Sequence, residues 1–223
     1  MQSSTRDDEP PVARLDLYWI PLGAGARVVR LSGRLYETLA ALAQRRPRSD
    51  LYHSALVATV STVRTVVEMA PIPDGSGRTA RGVVAEGAVG LHRLRPLRVF
   101  RYEIRRWPAG LIPDLACAVS SPVQVADDLA HVQNVLDLVA LVPTPVWGRD
   151  ELGLGEMWNS NSVISWVLAH AGLLASAGRP PSNGRAPGWD AGVRAATRDI
   201  AVAAKTGAAV NQSCTVEPES PTT

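Results

Sequence analysis

No uninterrupted apolar run of about 18 residues occurs in the sequence, so no transmembrane helix is expected. Cysteine is nearly as scarce. Cys117 and Cys214 are the two present, and their number and separation exclude a disulfide framework or a cysteine zinc site. They point instead to a reducing, cytoplasmic compartment. Cys117 lies in an apolar run, Leu115-Ala116-Cys117-Ala118-Val119, and is expected as an inert core residue. Excess charge is also missing. Against 21 acidic side chains stand 23 basic ones, a net charge of +2 that gives no electrostatic case for a nucleic-acid partner. Arginine supplies nearly all the positive charge, and its clusters at Arg45, Arg46 and Arg48 and from Arg93 to Arg106 read as solvated basic faces. The four histidines share no i, i+4 spacing, so no metal ligand set emerges. Residues 1–11 are acidic and polar without an apolar core, so no signal peptide is expected there.

What is present is an ordinary globular composition, with 46% hydrophobic and 20% charged residues over 223 positions, enough to bury a full core. The reading is a single domain over residues 12–206, with an unstructured arm at 1–11 and an unstructured tail at 207–223. Residues 15–21 are aromatic, weakly alternating and closed by Pro21, which predicts a first strand. The Gly23-Ala24-Gly25 segment lacks a phosphate-loop ending and reads as a turn, followed by a short strand at 28–31. Ser32 is placed to cap a helix over 33–45. Residues 50–60 and 61–70 are rich in β-branched residues around a minimal turn, which predicts an antiparallel hairpin. Short strands follow at 82–86 and 98–107. A helix is predicted from Ser120 or Ser121, with Pro122 in its first turn and Val125, Leu129, Val132 and Leu136 at helical spacing. A further, buried helix is predicted over 156–171, and a short one begins at Asp190. Hairpins without regular βαβ alternation argue an α+β fold, with a mainly antiparallel sheet of about five or six strands packed with helices.

The helix near residue 159 opens unusually. Trp158, Val163, Trp166, Val167 and Leu168 make a broad apolar face, while Asn159, Ser160, Asn161 and Ser162 crowd the first turn. There a helix exposes unpaired N–H groups and its positive partial charge, which suits a cap and suits a nucleophile with an oxyanion to stabilise. His53 stands near the start of one hairpin strand and Glu68 near the end of the next, so both fall toward one end of the ladder. Trp147, Trp158 and Trp189 flank the helix and could wall a pocket or fill the core. Arg149, Asp150 and Arg185 in the adjoining loops fit a substrate carboxylate or solvent equally.

Taken together, Tyr52-His53-Ser54-Ala55-Leu56-Val57, the strand ending Val67-Glu68, and the later Asn159-Ser160-Asn161-Ser162-Val163-Ile164 resemble the circularly permuted papain-like hydrolases. These include permuted NlpC/P60 proteins, the lecithin:retinol-acyltransferase-like group and PPPDE peptidases. In them a strand histidine precedes a helix opened by an Asn-Cys-Asn motif. The resemblance implies His53 as general base, Ser160 in the place of the nucleophilic cysteine and Glu68 as the group that orients the histidine. Asn159 and Asn161 would steady the oxyanion or position substrate, beside Trp158. The reaction implied is hydrolysis or transfer at an amide, isopeptide, peptide or ester bond of a small-molecule, peptide or protein substrate, without metal or organic cofactor. A serine must lose its proton as it attacks, whereas a cysteine paired with histidine is already ionised. The same residues therefore fit either a serine-dependent enzyme or a silenced relative that serves as a binding or scaffold module.

Overall fold

A computed structural model describes residues 12–22, 49–72, 79–112, 114–181 and 184–213, with side chains described as far as residue 206. The predicted short strand at 28–31 and helix at 33–45 lie outside them, as do the turn at 23–25, the arm at 1–11 and the first arginine cluster. A seven-stranded sheet organises the rest. Its strands are β1 (Ala13–Pro21), β2 (Asp50–Val60), β3 (Val63–Pro71), β4 (Val83–Ala88), β5 (Arg101–Pro108), β6 (Val123–Ala126) and β7 (Gly184–Arg185). The order is β4-β5-β3-β2-β1-β6, all antiparallel, and β7 adds a short parallel pairing to the start of β2. Among the described residues three α-helices accompany it: α1 (Leu129–Leu138), α2 (Ser160–His170) and α3 (Trp189–Ser213). The α+β fold with a mainly antiparallel sheet is the one expected.

Alternation along the strands separates two faces. On one, Leu15, Leu17 and Trp19 of β1 join Tyr52, Leu56 and Ala58 of β2, Val67 and Met69 of β3, and Tyr102 and Ile104 of β5. The helices cover this face through Val132, Val135, Val163, Ile164, Val167, Leu168 and Ala195. Burial of each large side chain here contributes about 1.5–3 kcal/mol. On the other face Ile20, Ala55, Val57 and Val66 form a smaller cluster with Ile112, flanked by Trp107, Leu115 and Ala118.

Helix α2 is buried from Ser160 through Leu168, on its polar side as well as its apolar one. Small residues make that possible. A Cβ on Gly192 of α3 would lie 2.1 Å from the Ser162 carbonyl oxygen and from the Ser165 hydroxyl, so only glycine lets the two helices approach so closely. Helix α3 then runs to Ser213, past the point at residue 207 where the sequence predicts an unstructured tail, and well beyond a short helix.

Three further expectations are corrected. The helix predicted from residue 120 is instead strand β6 followed by α1, whose first turn is capped by the Asp128 carboxylate accepting the His131 N–H at 2.9 Å. Val123-Gln124-Val125 alternates, and the open edge of β1 supplies its partner, so the strand wins over the helix pattern. Residues 98–100 form a turn of 3₁₀ helix and the strand begins only at Arg101. Cys117, expected in the core, is exposed on the loop after β5. Both outer strands are irregular: β6 has four residues and shifts register against β1, and β4 shifts against β5 between Val83 and Ala85.

Candidate functional site

The start of α2 is held by a dense set of hydrogen bonds. Asn159, the N-cap, accepts from the Asn161 N–H at 2.9 Å, and the Ser162 hydroxyl accepts from the Asn159 N–H at 3.1 Å. Together with the Asn159 contact to the Ser162 N–H, these make a capping box. The Ser162 hydroxyl donates onward to the Gly188 carbonyl at 2.7 Å, and the Glu156 carboxylate accepts the Gly188 N–H at 2.8 Å. Gly188 has φ +85°, and a Cβ there would meet the Asn159 amide at 2.5 Å. Asn161 reaches further. Its amide nitrogen donates to the carbonyls of Tyr52 at 3.0 Å and Pro187 at 2.9 Å, and its amide oxygen accepts from the Ser54 hydroxyl at 2.9 Å. The helix start, β2 and the loop before α3 are thereby locked together, with the Ser160 hydroxyl given no hydrogen bond among the described residues.

That lock decides where His53 lies. Ser54 points to the helix-covered face, so its neighbour His53 points to the other, and the cross-strand partner of His53 is Ile20, a member of the smaller cluster. Adjacent residues of a strand face opposite ways, so His53 does not share the β2 face on which Asn161, the neighbour of Ser160, is bonded. Glu68 shares the His53 face, since its neighbour Val67 belongs to the helix-covered core opposite Leu56. It is engaged elsewhere, however, accepting from Arg105 at 2.9 Å.

Around Glu68 runs a chain of charges that the sequence reading missed. Arg105 bridges Glu68 and Glu103, its Nε donating to Glu103 at 3.0 Å, and the Arg81 Nε donates to the same carboxylate at 2.9 Å. The side chains of Glu103 and Arg81 are 0% and 3% exposed. Burial, the largest single influence on Glu103, pushes its carboxyl up; the hydrogen bonds from Arg81 and Arg105 together more than reverse this and hold it below its usual range. Burial raises Glu68 in spite of Arg105. The run from Arg93 to Arg106 is thus no uniform solvated face, because Arg105 is buried within it.

Burial also pushes the His53 imidazole below its ordinary range, with Asp114 acting in the opposite sense. The folded chain therefore holds His53 neutral below about pH 6.5, where an unfolded imidazole takes up a proton, and stability is lost as the pH falls from there toward the folded value. The unfolding midpoint in urea is expected to drop between about pH 7.5 and 5.5 more steeply for wild type than for His53→Gln. Equal slopes would show that the ring is not withdrawn from water.

Each of the three tryptophans packs against the fold. Trp158 is buried, Trp189 packs on Trp19 with ring centres 4.9 Å apart, and Trp147 meets Tyr102 edge-on at 5.9 Å. A groove of about 520 Å³ lies elsewhere, along Val12, Arg14, Gln124, Asp127 and Leu129. The loop residues proposed for a substrate carboxylate also have structural roles. Arg149 donates to the Gly90 carbonyl, and Asp150 accepts the N–H groups of Leu154 and Gly155 at 2.7 and 2.8 Å. Among the described residues no group of three or more His, Cys, Asp or Glu could hold a metal ion, and no helix is long and apolar enough to cross a membrane.

Comparison with models of known protein families, with curated proteins and with solved structures finds no match to this chain.

Proposed function

We propose that this chain is a non-catalytic binding or scaffold module. The supporting observation is the Ser54–Asn161 hydrogen bond of 2.9 Å, which fixes the face that β2 turns to α2 and leaves His53 on the far one. Asn159 and Asn161, the groups that would steady an oxyanion, are spent on backbone and side-chain partners within the fold. A cytoplasmic location belongs to the same reading and is supported by Cys117, an exposed thiol of the kind that persists in reducing compartments.

The competing reading is a serine hydrolase or acyltransferase of the permuted papain-like type. In its favour is Ser160 itself, at the positive end of a helix with its hydroxyl outside the capping network. A serine-directed fluorophosphonate separates the two. Wild type is expected to show no labelling beyond that of Ser160→Ala. Labelling of wild type that Ser160→Ala abolishes would restore the enzyme and displace the scaffold.

A further inference from the structure

The loop between β4 and β5 is ordered by its own hydrogen bonds while presenting aliphatic side chains to solvent. Its ends are tied by the Val89 N–H donating to the Phe100 carbonyl at 2.8 Å. Within it Leu94, Arg95, Leu97 and Phe100 donate to the carbonyls of Leu91, His92, Leu94 and Leu97. Its base is anchored to the body through Gly90 donating to Trp147 at 3.0 Å and Trp147 donating to Ala88 at 2.8 Å. This is a compact Ω-type loop, not a strand-connecting tether. Yet Leu91, Leu97 and Val99 are 48%, 54% and 77% exposed.

Between these aliphatic groups stand His92, Arg93, Arg95 and Arg98, and residues 91–100 contain no acid. The side chains of Arg93 and Arg95 have no ion-pair or hydrogen-bond partner among the described residues. Arg149 adds a further cation at the loop base. Carboxylates of the adjoining segments have partners of their own: Glu86 pairs with Arg101 at 3.5 Å, Glu151 accepts the Val146 N–H at 2.8 Å, and Asp150 caps its own turn. Solvation alone accounts for the arginines but not for aliphatic side chains fixed outward among them.

We infer that this loop docks the protein onto an anionic lipid surface. Guanidinium groups meet lipid phosphates while Leu91, Leu97 and Val99 enter the boundary between headgroups and acyl chains, the combination by which peripheral proteins hold to charged bilayers. The aliphatic character favours lipid over nucleic acid, whose bases are bound by stacking on aromatic rings; besides the His92 imidazole the loop has one ring, Phe100, and it is only partly exposed. Because the loop is internally bonded, little ordering opposes docking. The inference goes beyond the scaffold reading and holds whichever way the Ser160 labelling falls.

The test is co-sedimentation of the full chain with vesicles of phosphatidylcholine alone or of phosphatidylcholine with phosphatidylglycerol. Binding is expected to the anionic vesicles and to be released by high salt. Leu97→Asp/Val99→Asp and Arg93→Gln/Arg95→Gln are each expected to lower partitioning by about tenfold or more. Both sets are exposed, so the unfolding midpoints should match wild type and report an intact fold. The inference is overturned if anionic vesicles do not retain the wild type, or if the loop variants bind them as well as wild type does. It is also overturned if the arginine variant loses affinity for duplex DNA or single-stranded RNA while vesicle binding is unchanged.

Discussion

Glu103→Gln is expected to lower the unfolding free energy by about 3–5 kcal/mol, the largest loss of any single conservative change in the described part of the molecule. The substitution keeps the shape of the side chain and removes its charge. The Arg105 guanidinium then keeps Glu68 alone, and the buried Arg81 guanidinium loses the carboxylate that its Nε and Nη2 both reach. Their desolvation was offset by Glu103, and a neutral amide cannot replace it. Urea unfolding at neutral pH measures the loss. Exchange of the pair for apolar groups, as in Arg81→Met/Glu103→Leu, is expected to cost less than Glu103→Gln alone, since it removes the buried charge along with its partner. A loss under about 1 kcal/mol for Glu103→Gln would mean that water reaches the network. The pH dependence has a definite sign. Glu103 is held below its usual range in the fold, so its contribution is complete above about pH 4.3, where the unfolded carboxyl is ionised, and is lost as the pH falls through the folded value.

Asn161→Ala should be nearly as damaging, at about 3 kcal/mol, although it changes a residue one place from a candidate nucleophile. Its amide satisfies the Ser54 hydroxyl and the Tyr52 carbonyl inside the core and shares the Pro187 carbonyl with Asn159. Removing it strands the first two, each at about 1–3 kcal/mol. Asn161→Asp is expected to be no better, because it sets a buried negative charge against two carbonyl oxygens. Ser160→Ala, by contrast, should cost under about 1 kcal/mol, since no hydrogen bond of the described fold is lost with that hydroxyl. Denaturant midpoints of the three variants check the contrast. Similar losses for Ser160→Ala and Asn161→Ala would show that the helix start depends on both alike.

The elements that the sequence made plain are those whose signals are local. The β2–β3 hairpin follows from β-branched runs about a minimal turn, and α2 from its Asn-Ser cap and apolar face. The side of the sheet on which His53 lies was not legible for a particular reason. Ala55, Leu56 and Val57 are all apolar because both faces of this central strand are covered, so alternation could not say which face meets the helix. Only Asn161, more than a hundred residues later, selects it. Likewise Glu103 and Arg105 alternate with Tyr102 and Ile104 as a solvent-facing row would, and Arg81, which helps to bury them, lies in a separate segment. The β6–α1 boundary was hidden because Val125, Leu129, Val132 and Leu136 fit helical spacing while Val123 and Val125 also fit a strand. The unpaired edge of β1 broke that tie, and no neighbouring residue announces it.

The irregular outer strands have a consequence for how copies of the protein meet. A straight, fully formed border would present a row of peptide groups on which another chain could continue the ladder. Here one border is a stub of four residues and the other is kinked by its register shift, so neither offers a template long enough to seed such growth. Copies that meet at these two borders, the outer ones among the described strands, must therefore do so through side chains and not by continuing the ladder.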